Sequence, residues 1–189
     1  SSLCAGASAV INLVGILNES GAATFERVHV DVTRHAVTAC HAAGVPRLLQ
    51  MSALGAAPDG PSRYLRSKAA AEAIVAAGGL AWTIFRPSVI FGRDDTFLNL
   101  FAQLSRTLPV VVLAAPHARF QPIGVDDVAP CFVHALGDDL THHARYDLCG
   151  PRVYTLQELV RYVGEVVGAV RPIVPLGHRL SQLQATLLE

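Results

Sequence analysis

The pattern that most restricts this chain is the alternation, through its first half, of short continuous apolar runs with helix-length stretches. Residues 9–14, Ala9-Val10-Ile11-Asn12-Leu13-Val14, make an apolar run of strand length that ends at Gly15, as expected of a strand covered on both faces. Residues 25–43 carry helical periodicity and stop at Gly44-Val45-Pro46, a helix end followed by a breaker. A second buried strand is expected over 47–52, an alanine-rich helix over 62–77 closed by Gly78-Gly79, and a third strand over 80–85. Strands separated by connections this long pair in parallel through helical crossovers. The expected fold is therefore α/β, a doubly wound parallel sheet or a large piece of one.

The second half is less regular. A helix is expected over 97–105, short strands over 110–113 and 120–125, and a helix from Asp126 as N-cap to about 136, with Pro130 tolerable only in its first turn. Residues 145–148 read as a strand, and Thr155-Leu156-Gln157-Glu158 as a capping box opening a helix that Gly168 stops. We place the division at 1–92 and 93–189.

Composition excludes several classes. A formal net charge of zero leaves no electrostatic footprint for nucleic acid. With 51% hydrophobic residues the chain can bury a substantial core, yet its longest apolar runs are too short to span a bilayer. The cysteines at 4, 40, 131 and 149 show neither Cys-x-x-Cys nor zinc spacing, so reduced cytoplasmic thiols are expected. His142-His143 has no carboxylate or cysteine at ligand spacing and reads as a solvated loop. Ser52 lacks the Gly-x-Ser-x-Gly elbow of a hydrolase. Asp126-Asp127 and Asp94-Asp95 read as helix-start clusters. For Arg86 and Arg93, a phosphate contact and a structural ion pair are both open.

One pair of residues carries chemistry. Lys68 is the single lysine among 15 basic residues, and it follows Tyr64 by four. On a helix that spacing stacks the two side chains one turn apart, so an ammonium can favour a phenolate beside it and tune a tyrosine for proton transfer. Parallel sheets bind ligands at the carboxyl ends of their strands, where Gly15, Ser52 and Arg86-Pro87-Ser88 fall. Ser52, Tyr64 and Lys68 are expected to face one cleft.

These residues resemble the extended or atypical short-chain dehydrogenase/reductase superfamily, the NAD-dependent epimerase/dehydratase-like proteins. The likeness is strongest to the nucleotide-binding accessory subunits of respiratory complex I and their bacterial relatives. It rests on Val10-Ile11-Asn12-Leu13-Val14-Gly15, Ala43-Gly44-Val45-Pro46-Arg47, Met51-Ser52-Ala53-Leu54-Gly55-Ala56, Tyr64-Leu65-Arg66-Ser67-Lys68, Phe85-Arg86-Pro87-Ser88, Arg119-Phe120-Gln121-Pro122 with Asp126-Asp127-Val128, and Leu148-Cys149-Gly150-Pro151. The resemblance implies an NAD or NADP cofactor. It also implies Tyr64 as general acid/base, Lys68 lowering the tyrosine pKa and holding the nicotinamide ribose, Ser52 binding the substrate oxygen, and Asn12, Gly15, Arg86, Pro87 and Ser88 lining the nucleotide.

Two functions follow: an oxidoreductase or epimerase acting on a small carbonyl or sugar-like substrate, or a non-catalytic accessory protein with a respiratory-complex partner. In the second case the apolar stretch 170–188 offers peripheral contact with the inner membrane. No Gly-x-x-Gly-x-x-Gly or Gly-x-Gly-x-x-Gly occurs anywhere in the chain. The expectation is thus a partial Rossmann-like sheet, with the glycine-rich βαβ portion absent and a small C-terminal α/β substrate or partner region. His29 stands where many extended members carry asparagine and reads as a partly buried helical histidine.

Overall fold

A computed structural model describes residues 4–176. The chain forms two compact units. Among the described residues, one comprises 4–87 with Val128–Leu148, the other Ser88–Asp127 with 149–176. The boundary expected near residue 92 falls at Pro87, and 128–148 return to the first unit because the strand at 144–148 pairs with the third strand of the sheet.

In the first unit β1 (Ala9–Asn12), β2 (Arg47–Met51), β3 (Ala81–Pro87) and β8 (Ala144–Leu148) form a parallel sheet in the order β1-β2-β3-β8. Leu48, Leu49 and Ile84 are fully buried, so adjacent β2 residues are covered on opposite faces, as a continuous apolar run requires. One face packs Leu48, Trp82 and Ile84 with Val37 and Cys40 of α1 (Val32–Ala43) and Val75 of α2 (Arg63–Ala77). On the other face, Phe85 lies 4.5 Å ring to ring from Phe132 of α4 (Val125–Leu136). Each fully buried leucine or isoleucine contributes about 1.5–3 kcal/mol.

The helix expected over 25–43 is continuous but begins as a π-helical turn, Glu26–Asp31, which holds His29. Such turns recur at functional sites. It ends where Gly44 adopts φ 67°. In α2, the Ser62 side chain accepts the Leu65 N–H.

The second unit is built from short strand pairs and two helices. β4 (Ile90–Phe91) runs parallel to β7 (Ile123–Gly124), and β5 (Val111–Leu113) parallel to β10 (Ile173–Pro175). β6 (Arg119–Phe120) is antiparallel to β9 (Tyr154–Thr155). The strand expected over 120–125 is therefore two separate pairings. Phe101 and Ala102 of α3 (Phe97–Thr107) pack with Leu156, Val160 and Val163 of α5 (Leu156–Val166), whose capping box between Thr155 and Glu158 is complete. Asp126 lies in the first turn of α4 rather than at its N-cap. Pro130 is deeper in that helix than its first turn, so the bond to the carbonyl four residues back is not made. Gly150 is fixed by close approach: a Cβ there would stand 2.0 Å from the Pro122 carbonyl oxygen, while the Gln121 amide donates to the Gly150 carbonyl at 2.6 Å.

Candidate functional site

The carboxyl ends of β1 and β2 and the first two turns of α2 bring the chemistry-bearing residues of the first unit together. Lys68 is buried, and its ammonium donates to the Met51 carbonyl at 3.2 Å. It stands 6.0 Å above the centre of the Tyr64 ring. Gly15 passes so close that a Cβ there would lie 3.1 Å from the Lys68 nitrogen and 3.5 Å from His29 Nε2. Burial lowers the Lys68 pKa to about 8 against the opposing pull of Glu72. An ammonium has three N–H donors and one is taken among the described residues, so two are left for a ligand.

The expected priming of Tyr64 is not what the structure shows. Burial pushes the Tyr64 phenol above its ordinary value, and Lys68 lies over the ring.

His29 completes the setting and is more deeply buried than expected. Its Nε2 accepts the Ile16 N–H at 3.0 Å, so Nδ1 carries the proton and donates to Ser67 Oγ at 2.8 Å. Ser67 in turn donates to the Tyr64 carbonyl at 2.7 Å. The ring stacks on Phe25 at 5.4 Å and meets Tyr64 edge-on at 5.5 Å. Burial first, and the Lys68 charge second, lower its pKa to about 4, so it is neutral at physiological pH. Sequence reasoning missed this role, because only the fold brings residue 29 against residues 15, 64 and 67.

Three residues expected in the site are occupied elsewhere. Ser52 is buried and its hydroxyl donates to Glu72 at 2.5 Å. Arg86 grips Glu72 with two bonds, Nε to Oε1 at 2.8 Å and an Nη to Oε2 at 2.6 Å. Of the two readings left open for Arg86, the structural ion pair holds. The Asn12 amide donates to Thr33 and Gln50, and its oxygen accepts the Val14 N–H, so both of its donors are spent in shaping the tip of β1. Arg145 also reaches Glu72 at 3.2 Å. Hydrogen bonds from Arg86, Ser52 and Arg145 overcome the burial of Glu72 and hold its carboxyl below the usual range. Glu72 follows Lys68 by four, as Lys68 follows Tyr64; that repeat was the available signal for it.

Pro87 is buried and its carbonyl accepts the Leu54 N–H; Ser88 is half-buried and begins the second unit. His142 pairs with Asp139, and His143 meets Trp82 edge-on. Among the described residues no group of three or more His, Cys, Asp or Glu side chains could hold a metal ion, and no helix is long and apolar enough to cross a membrane. Positions 177–188 of the apolar stretch lie outside the described residues.

The side-chain-free Gly15 lies against a buried ammonium that makes one hydrogen bond among the described residues, an arrangement open to a ligand with hydroxyl acceptors.

Over residues 1–107 the chain matches the family described as NAD(P)H-binding. It is 37% identical over 168 residues to the Arabidopsis thaliana protein named NADH dehydrogenase (ubiquinone) 1 alpha subcomplex subunit 9, mitochondrial, a match covering 86% of this chain and 41% of that protein. The Mus musculus protein of the same name is 38% identical over 156 residues, covering 82% and 41%. The chain thus spans about two fifths of the length of these curated relatives. Among solved structures, MoeE5 in complex with UDP-glucose and NAD superposes with a TM-score of 0.82 at 19% identity over 95% of this chain and 69% of that one. The Thermus thermophilus UDP-glucose 4-epimerase complex with NAD gives 0.75 at 19% identity over 94% and 71%. At such identities the likeness is one of fold.

Proposed function

The chain belongs to the NAD(P)H-binding family, and from that premise we propose that the intact protein holds a nicotinamide nucleotide with its ribose against Lys68 and serves as an accessory subunit of a respiratory NADH dehydrogenase. The observation that carries this reading is the buried Lys68 ammonium, which has one protein acceptor among the described residues and a side-chain-free backbone beside it. When bound, the nucleotide supplies hydride chemistry. The protein's own residues supply a grip: Lys68 donates to the ribose, Gly15 lets the nucleotide approach, and neutral His29 fixes the α2 backbone through Ser67 and Tyr64. Ser52 held by Glu72 and a phenol raised rather than lowered both favour holding over turnover. Sequence identity to the alpha subcomplex subunits supports the respiratory partner, with the protein peripheral to the membrane.

A second reading, an NAD(P)-dependent oxidoreductase or epimerase for a small carbonyl or sugar-like substrate, is favoured by the Tyr64–Lys68 juxtaposition itself. In it, protonated Tyr64 donates to an oxygen that gains charge, and Ser52 must leave Glu72 to meet the substrate.

The test is to purify the full-length protein, identify its nucleotide and offer it a panel of carbonyl substrates with reduced cofactor. Retained nucleotide without consumption supports the accessory role, and turnover abolished by Tyr64→Phe supports the enzyme. A protein without nucleotide whose Lys68→Met variant behaves like wild type contradicts both.

A further inference from the structure

The second unit contains a cavity of about 530 Å³ that neither reading above uses. Its walls are Leu98 and Ala102 of α3 and Leu159, Val163 and Val166 of α5, with Pro122 and Ile123 at one end. The size is that of a ligand pocket, where about 300–1,000 Å³ is usual. The helices around it are well packed elsewhere: Phe101, Leu156 and Val160 are buried together.

The chemistry of the lining narrows the occupant. Asp127 and Arg152 are the charged side chains on it, one of each sign, and the Arg152 guanidinium already lies 5.3 Å over the Tyr154 ring. The Gly150 N–H and carbonyl, polar backbone groups on the wall, are both bonded to Gln121. A pyrophosphate would find one cation there, beside the Tyr154 and Tyr162 hydroxyls and an Asn99 amide that already donates to the Arg93 and Asp95 carbonyls. A hydrocarbon would find apolar walls that continue outward, since the lining residues Tyr162 and Val166 on α5 are 61% and 67% exposed.

We infer that this cavity is a binding site for a single unbranched hydrocarbon chain bearing one small polar end. The chain lies between α3 and α5, and the polar end stays at the Arg152–Tyr154 rim. This holds whichever function the first unit has.

The test uses 1-butanol, 1-octanol and 1-dodecanol as probes, followed through the methyl NMR signals of Leu98, Leu159 and Val163. Affinity should tighten about fourfold per methylene until the cavity is filled, with the largest shifts at those methyls. Ala102→Phe, which fills the space, should weaken octanol at least tenfold while leaving the nucleotide affinity unchanged. Should that variant not fold, Val166→Glu at the exposed rim should do the same. Co-sedimentation with phosphatidylcholine vesicles that Ala102→Phe or Val166→Glu removes assigns the chain to a bilayer lipid; alkanol binding without it assigns a free molecule. Binding that ignores chain length, shifts confined to other methyls, or equal displacement of these methyls by UDP-glucose would overturn the inference.

Discussion

Two buried charges sit one helical turn apart on α2 and are treated in opposite ways. Glu72 is surrounded: Arg86 grips it twice, and Arg145 and Ser52 complete its acceptors. Among the described residues Lys68 makes one hydrogen bond, to the Met51 carbonyl, and its pKa is depressed to about 8. A buried charge whose partners are complete ties elements together, here α2, the end of β2, β3 and β8. A buried charge left short of partners lowers the stability of the chain that carries it, and such a deficit persists where a ligand supplies the missing bonds. On the reading proposed above, Glu72 serves the fold and Lys68 the nucleotide.

The contrast breaks most visibly at Arg86. Arg86→Ala leaves a buried carboxylate with Ser52 and a half-exposed Arg145, and should cost about 3 kcal/mol in denaturant unfolding. A cost below about 1 kcal/mol would mean that Glu72 is not the tie described. Lys68→Met should act in the other direction, stabilising the chain by about 2–3 kcal/mol at pH 7 while abolishing nucleotide binding. The sign follows from the protons. Between pH 8 and the unfolded value near about 10.5 the unfolded chain holds a proton that the native Lys68 has shed, so wild-type stability rises with pH across that window. The Lys68→Met variant should lack that rise, and a variant that is less stable at pH 7 would contradict the account.

His29 sharpens the picture at the acid end. Its native pKa of about 4 lies below the unfolded 6.5, so the unfolded chain binds the extra proton and stability falls as pH drops through that window. About 2 kcal/mol should be lost by pH 5. A His29→Asn variant should lose this dependence, which thermal melts at pH 7 and 5 read directly. The smallest effect belongs to Gly15→Ala. The methyl meets the end of the Lys68 side chain at 3.1 Å, a flexible group that can shift by a few tenths of an ångström, so stability should change by less than about 1 kcal/mol while nucleotide affinity drops several-fold in a direct titration. Unchanged affinity would remove Gly15 from the site.

What was legible in the sequence follows from which forces are local. The β1, β2 and β3 strands and the two crossover helices were readable because continuous apolar runs, Gly44 and the Ser62 cap act within a few residues. Tyr64 and Lys68 were readable because helical spacing alone puts them together. A strand at 145–148 was expected among the remaining strands of the sheet, but its place beside β3 was not readable, since a parallel partner some sixty residues away leaves no local mark. Ser52 and Arg86 were assigned to the ligand from their places at strand ends, but a strand end fixes only where a residue is. Which way the side chain turns was decided by Glu72, a carboxylate that pattern alone presents as a solvated helix residue.

The lysine side chain itself offers the most direct measurement, because a chain with a single lysine gives one Cε resonance with no assignment problem. Its ¹³C shift followed from pH 6 to 12 should titrate with a midpoint near 8, moving upward when nicotinamide nucleotide is added and the ammonium gains its acceptors. A midpoint near about 10.4, the value of a lysine in water, indifferent to nucleotide, would contradict the account.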